Sequence, residues 1–166
     1  MTEMTSRFAL PLLQPGQAQK ELHHNEALTL LDLAVHATVK SAGINAPPAN
    51  ALIGDCWVVG TDPEGAWSGH AREIAGWTGG GWRFVSPPDG MVAWCVADAL
   101  WVQYNGGTWV RGQIAANSLW INGMQVVGAR RPAIAQSGGG ATVDAEARST
   151  ISAIIAALQA HGLIGA

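Results

Sequence analysis

The side chains able to do acid–base, nucleophilic or metal chemistry are five histidines, two cysteines, twelve carboxylates and the serine of Ser68-Gly69-His70. Their spacing assembles no site. His24 and His36 sit about three turns apart on any helix through that stretch. His23 with Glu26 makes only a lone i, i+3 pair, so these histidines read as solvated or interface groups. Cys56-Trp57 and Trp94-Cys95 place each thiol beside a tryptophan in a predicted strand, without Cys-x-x-Cys or Cys/His metal spacing. They read as two buried thiols; a disulfide stays open if the two strands pair, although cytoplasmic synthesis disfavours it. Ser68-Gly69-His70 has no evident acid partner at useful spacing. Asp55, Asp62, Glu64, Glu73, Asp89 and Asp98 are scattered, and spacing alone does not reveal whether two of them face each other as a glycosidase requires. No Gly-x-Ser-x-Gly elbow, P-loop, His-Glu-x-x-His or dinucleotide fingerprint occurs. The expectation is a non-enzyme with no catalytic residue, no metal ligand and no cofactor.

The aromatics are the other candidates. Seven of the eight tryptophans fall between Asp55 and Arg111. Trp67, Trp77, Trp82, Tyr104 and Trp109 could stack flat on the C–H face of a sugar ring. For each ring taken singly the favoured reading is the thin core of a small β domain, or an interface, where it buries a large area. Arg130-Arg131 could meet a phosphate or an acidic sugar, or simply make surface salt bridges.

The elements that must position these residues are mainly β. Trp77-Thr78-Gly79-Gly80-Gly81-Trp82 and Tyr104-Asn105-Gly106-Gly107-Thr108-Trp109 copy each other: an aromatic, a small polar residue, two glycines, a small residue, a tryptophan. Glycine pairs reach positive φ cheaply, as hairpin turns demand, and the flanking aromatics suit a pleated, half-buried surface. Asn122-Gly123 within residues 119–126 signals a third, looser hairpin. The expected fold is a hairpin-rich small sandwich or barrel-like module over residues 55–127. It is preceded by an extended arm (residues 1–16) broken by Pro11 and Pro15, and by a helix over residues 17–42. On that helix Leu28, Leu31 and Val35, with Val39, Ala27 and Ala34, mark the apolar face. A Gly-rich linker (residues 128–143) leads to a C-terminal helix within residues 144–166. Asp144 is its N-cap and Gly162 its stop. Ala147, Ile151, Ile154 and Leu158 form a short heptad seam. That seam, with Leu10, Leu12 and Leu13 of the arm, supplies the candidate oligomer or partner contacts. Arm and helix could each dock on their own domain or on a neighbouring chain.

Composition points towards assembly. Charged residues are 13% of the 166, against about 25% in ordinary domains, whereas glycines number 21. A surface short of charge is covered by small polar residues or by other subunits. The net charge is −3 and no Lys/Arg cluster occurs, so nucleic acid is not an expected partner. No signal-peptide core and no run of about 18 apolar residues appears, so synthesis in the cytoplasm and no membrane span are expected.

The opening Leu10-Pro11-Leu12-Leu13-Gln14-Pro15-Gly16-Gln17-Ala18-Gln19-Lys20, with His24-Asn25-Glu26-Ala27-Leu28 and Leu31-Asp32, resembles an uncharacterised domain family of alphaproteobacterial prophages and gene transfer agents. So do Gly65-Ala66-Trp67-Ser68-Gly69-His70, Ile74-Ala75-Gly76-Trp77, Gly81-Trp82-Arg83-Phe84 and Gly106-Gly107-Thr108-Trp109-Val110. The ending, from residue 127 through Asp144-Ala145-Glu146-Ala147-Arg148 to His161-Gly162-Leu163-Ile164, looks like the tail such proteins carry. The resemblance implies a virion structural protein of a phage-like particle: a cyclic homo-oligomer at the base of a head spike, or a tail-fibre adaptor. Its implied partners are capsid or tail proteins and a separate fibre, in the context of attachment to host surface polysaccharide. It contributes no catalytic residues. The alternative expectation is a stand-alone carbohydrate-binding module using exposed Trp and Tyr.

Overall fold

The computed structural model describes residues 3–14, 16, 20–136, 138–141 and 144–165. The predicted helix start at residue 17, Pro15 of the arm, Gln17-Ala18-Gln19 of the N-terminal motif, and Ser137 and residues 142–143 of the linker lie outside them. The chain forms two compact units, Met1–Gln113 and Ile114–Ala166. Among the described residues no helix is long and apolar enough to cross a membrane.

The first unit is built on two sheets of the same plan. β3 (Cys56–Val59), β4 (Ile74–Thr78) and β5 (Gly81–Val85) form an antiparallel meander. The short strand β2 (Ala42–Ile44) pairs parallel to β3 at its edge. The second sheet repeats this with β6 (Val92–Cys95), β7 (Leu100–Asn105) and β8 (Thr108–Arg111), and β1 (Thr38–Val39) lies parallel to β6. The two glycine-pair copies are the β4–β5 and β7–β8 turns. Their aromatics face each other across the strands, Trp77↔Trp82 and Tyr104↔Trp109. The turns differ in one respect. Gly106 (φ 57°) and Gly107 (φ 81°) are both left-handed, the type I′ pattern, whereas in the first copy the left-handed residue is Gly81 (φ 96°).

One core lies between the sheets: Val39, Ala42, Cys56, Val58, Ile74, Ala93, Cys95 and Val102, capped by Leu33 and Ala37. The opposite face of the first sheet holds a second, aromatic core. Trp67, on a 3-10 turn (Gly65–Trp67), is wholly buried there with Trp57, Val59 and Ala75. Trp67 and Trp82 meet edge to face at 5.1 Å, the preferred geometry of paired rings.

Helix α1 (Lys20–Ala34) stops well short of residue 42; the chain beyond it turns and becomes β1 and β2. Its buried face also differs from the expected one. Asp32 and Leu33 are buried, while Leu31 and Val35 stand exposed. The cause is the N-terminal arm. Asp32 accepts from Thr5 Oγ1 (2.8 Å), Arg7 N (2.9 Å) and Phe8 N (2.7 Å). The Arg7 guanidinium donates to the carbonyls of Asp32, Leu33, Val35 and His36, at the helix end where the macrodipole favours a cation. Asn25 exchanges two hydrogen bonds with the backbone of Leu13. The arm therefore docks on its own helix, leaving Leu10, Leu12 and Leu13 half-buried.

The second unit is a two-stranded hairpin, β9 (Leu119–Ile121) and β10 (Met124–Val127), and a helix, α2 (Ala145–Ala160). Asn122 (φ 50°) and Gly123 (φ 74°) make the expected left-handed turn. This hairpin belongs with the C-terminal unit, not with the β module in which the sequence reading placed it. Asp144 caps α2 by accepting from Ala147 N at 2.8 Å.

Candidate functional site

The five candidate sugar-stacking aromatics separate into three groups. Trp67 has 0% exposure, so it is core and offers no platform. Trp77 and Trp82 are half-buried and pack on each other at 4.9 Å within the aromatic core. Tyr104 and Trp109 are also half-buried and paired at 5.4 Å, but they belong to the second sheet. The most open ring of the first unit is one the sequence reading did not select. Trp101 is 49% exposed, lies opposite Trp94 and meets it edge to face at 5.2 Å. Strand alternation carried the missing signal: Val92, Trp94 and Val96 alternate with the buried Ala93 and Cys95, which puts them on the outer face.

Trp109 lines a cleft of about 160 Å3 together with Gly43, Thr61, Arg72, Thr108 and Arg111. The cleft is built from both sheets of one unit. β2 and the end of β3 form one wall, and β8 forms the other. Its geometry is fixed at three points. The Trp109 indole Nε1–H donates to the Arg72 carbonyl at 2.7 Å. Arg72 N donates to the Gly60 carbonyl at 3.2 Å. Arg111 donates to Asp98 Oδ2 at 2.9 Å and to the Ala42 carbonyl. Arg72 itself holds φ at 65°, a left-handed conformation that costs a non-glycine residue about 1–2 kcal/mol. Its side chain is exposed, and no carboxylate lies within salt-bridge distance of its guanidinium among the described residues.

Ser68-Gly69-His70 gains a partner that sequence spacing did not suggest. His70 Nδ1 lies 2.7 Å from Glu73 Oε2, and the other carboxylate oxygen accepts from Ser86. The imidazole stacks flat on Phe84 at 3.6 Å. The serine on that carboxylate is Ser86, not Ser68, and it bonds the carboxylate, whereas an acyl-transfer triad requires the serine to bond the imidazole. Cys56 and Cys95 are both free and buried. Desolvation pushes the Cys56 thiol up to about 11, so it is neutral and inert at ordinary pH. Among the described residues no three His, Cys, Asp or Glu side chains gather closely enough to hold a metal ion.

The candidate contact residues of the second unit face outward. On α2 the buried residue is Ile155, while Ile151 and Ile154 of the expected seam are exposed and Leu158 is half-buried. Every strand residue of β9 and β10 is exposed, including Trp120 at 59%. Leu119, Ile121, Met124 and Val127 pair on one face of the hairpin, and Trp120 pairs with Gln125 on the other. Arg130 and Arg131 bind backbone: Arg130 Nε donates to the Ile164 carbonyl at 2.9 Å, and Arg131 exchanges backbone bonds with Leu163 and Gly165. Neither makes a salt bridge among the described residues.

Residues 24–110, just over half of the chain, match the profile of a family described as a protein of unknown function (DUF2793), and the chain belongs to that family. The match runs from the second turn of α1 to the penultimate residue of β8, so it takes in Arg72 and Trp109 and ends one residue before Arg111. The N-terminal arm and the second unit lie outside it. No curated protein matches the chain.

Proposed function

We propose that this member of the DUF2793 family is a structural component of a phage-like particle or gene transfer agent. In that reading it is a cyclic homo-oligomer that forms a head-spike base or fibre adaptor and supports attachment to host surface polysaccharide. One observation carries the assembly half. Apolar residues of both helices, Leu31 on α1 and Ile151 and Ile154 on α2, stay in water in the single chain, together with Val35 just beyond α1 and every strand residue of the β9–β10 hairpin. Exposed apolar area on this scale marks an interaction surface. A lone two-stranded hairpin is marginal in water, and one that is apolar on its larger face needs a neighbour to cover it.

Residues 112–129 carry no charged side chain. Charge depletion with exposed Trp, Met and Ile is the composition of an interface core rather than a solvated surface. Copies of the same chain suit such a surface, because an uncharged apolar face is complementary to itself. The virion setting is supported by the resemblance of the N-terminal motif and the tail. Mass spectrometry of particles purified away from cell debris tests it. The chain should co-purify at a fixed ratio to the major capsid protein, and its absence from intact particles overturns the reading.

A further inference from the structure

We propose that the Arg72–Trp109 cleft binds an acidic sugar, with Arg72 receiving its carboxylate and the Trp109 indole lying against its apolar ring face. This deepens the polysaccharide half of the proposed function. It is independent of assembly, since the cleft lies wholly within the Met1–Gln113 unit.

Left-handed backbone at a non-glycine residue persists only where its surroundings over-determine it, and such strain concentrates at functional sites. Here two hydrogen bonds do so: the Arg72 N–H donates to the Gly60 carbonyl, and the Arg72 carbonyl accepts from Trp109 Nε1–H. Glycine would hold this backbone with less strain. What arginine adds is a guanidinium at the rim of a cleft, exposed and free of any carboxylate partner among the described residues.

The second arginine of the cleft differs. Asp98 balances the charge of Arg111, and the bond to the Ala42 carbonyl fixes it as wall. The cleft thus presents one uncompensated cation in a chain whose net charge is −3. A guanidinium fork matches the two oxygens of a carboxylate.

Trp109 selects what must accompany that carboxylate. Its Nε1–H is already used, so the indole is locked and offers the cleft a surface without a free donor. Such a surface suits the C–H face of a sugar ring. Thr61 and Thr108 supply hydroxyls at the same cleft for ring hydroxyls. The volume, about 160 Å3, is below the roughly 300 Å3 at which pockets for drug-sized ligands begin. It accommodates a single ring, with the remainder of a polymer outside. A phosphodiester chain fits less well, because one free cation gives little of the counterion release on which nucleic-acid affinity depends.

The test is calorimetric and fluorescence titration of the full chain with uronic-acid oligosaccharides, with the same oligosaccharides as methyl esters, and with inorganic phosphate. The acidic oligosaccharide should bind and perturb tryptophan emission, while the ester and phosphate bind at least about tenfold more weakly, the equivalent of one lost charge-assisted contact. Arg72→Gln should reduce affinity by a similar factor. Arg72→Gly should also lose binding while melting no lower than the parent, which separates lost recognition from lost folding. Equal binding of acid and ester, phosphate competing as well as the uronate, or undiminished binding by Arg72→Gly overturns the assignment. So does silence of the acidic oligosaccharide. None of these results bears on oligomeric state, so the assembly reading stands or falls separately.

Discussion

Thr5 Oγ1 donates to Asp32 Oδ1 at 2.8 Å, joining the N-terminal arm to a helix 27 residues later through a carboxylate that is 1% exposed. A buried charge is tolerated only where donors surround it, and Asp32 has three, two of them backbone N–H groups of the arm. Asp32→Ala leaves those donors buried without an acceptor. It should cost roughly 3 kcal/mol. Denaturant unfolding measures the cost, and hydrogen exchange at Arg7 and Phe8 should accelerate well before global unfolding.

Leu33 occupies the space that a side chain at residue 76 would need. A β-carbon on Gly76 would stand 2.5 Å from Leu33 Cδ2 and 2.6 Å from Cδ1. Gly76→Ala should therefore destabilise the first unit by about 1–3 kcal/mol through overpacking. Leu33→Ala should also destabilise, by about 2–5 kcal/mol. The double variant should lose less than the sum of the two, since the smaller side chain opens the space the new methyl needs. Additive losses in the thermodynamic cycle would remove this contact from the account.

The aromatic assignment makes two tryptophans behave differently. Trp67, buried against Trp57 and Trp82, should cost about 3–5 kcal/mol when changed to Ala. Trp101→Ser on the open face of the second sheet should cost only about 1–2 kcal/mol, the loss of its edge-to-face contact with Trp94 and its half-covered area. Thermal melts of the two variants decide it.

Cys56 adds a pH dependence at the alkaline end. The unfolded thiol ionises around its ordinary value of 9.0, while the folded one, desolvated by burial, holds its proton to about 11. Its contribution to stability is complete below pH 9.0 and is lost as pH rises from there through about 11. Denaturation midpoints should fall across that window, and Cys56→Ala should flatten the fall. A thiol reagent at pH 8 should label Cys56 only at the rate of unfolding.

Local chemistry was the legible part of this chain. Glycine pairs between aromatics, Asn122-Gly123 and Asp144 each specify a turn or cap by themselves, and each of these turns and caps forms, with the β4–β5 turn taking its left-handed residue at Gly81 rather than within the Gly79-Gly80 pair. The orientation of α1 was not legible. Its apolar spacing marks Leu28, Leu31 and Val35 as the inward face, but Asp32 is drawn in by arm donors that no helical period encodes. For Trp67 the sequence leaves both a sugar platform and a core position open; the sheet behind it, with Trp57 and Trp82, encloses it and makes it core. The cleft at Arg72 has no local sequence signature, because its parts come from β2, the end of β3 and β8, and a long-range bond from Trp109 completes it.

Self-association is the claim on which the proposed function rests, and the mass of the purified chain in solution tests it most directly. Mass photometry with sedimentation at rising concentration should give one closed species of three, five or six copies. Ile151→Glu with Ile154→Glu should return it to single copies that keep their helical signal, because both residues face water in the isolated chain. A wild-type protein that stays single-copy at high concentration, with its melting unaffected by those changes, would contradict the account.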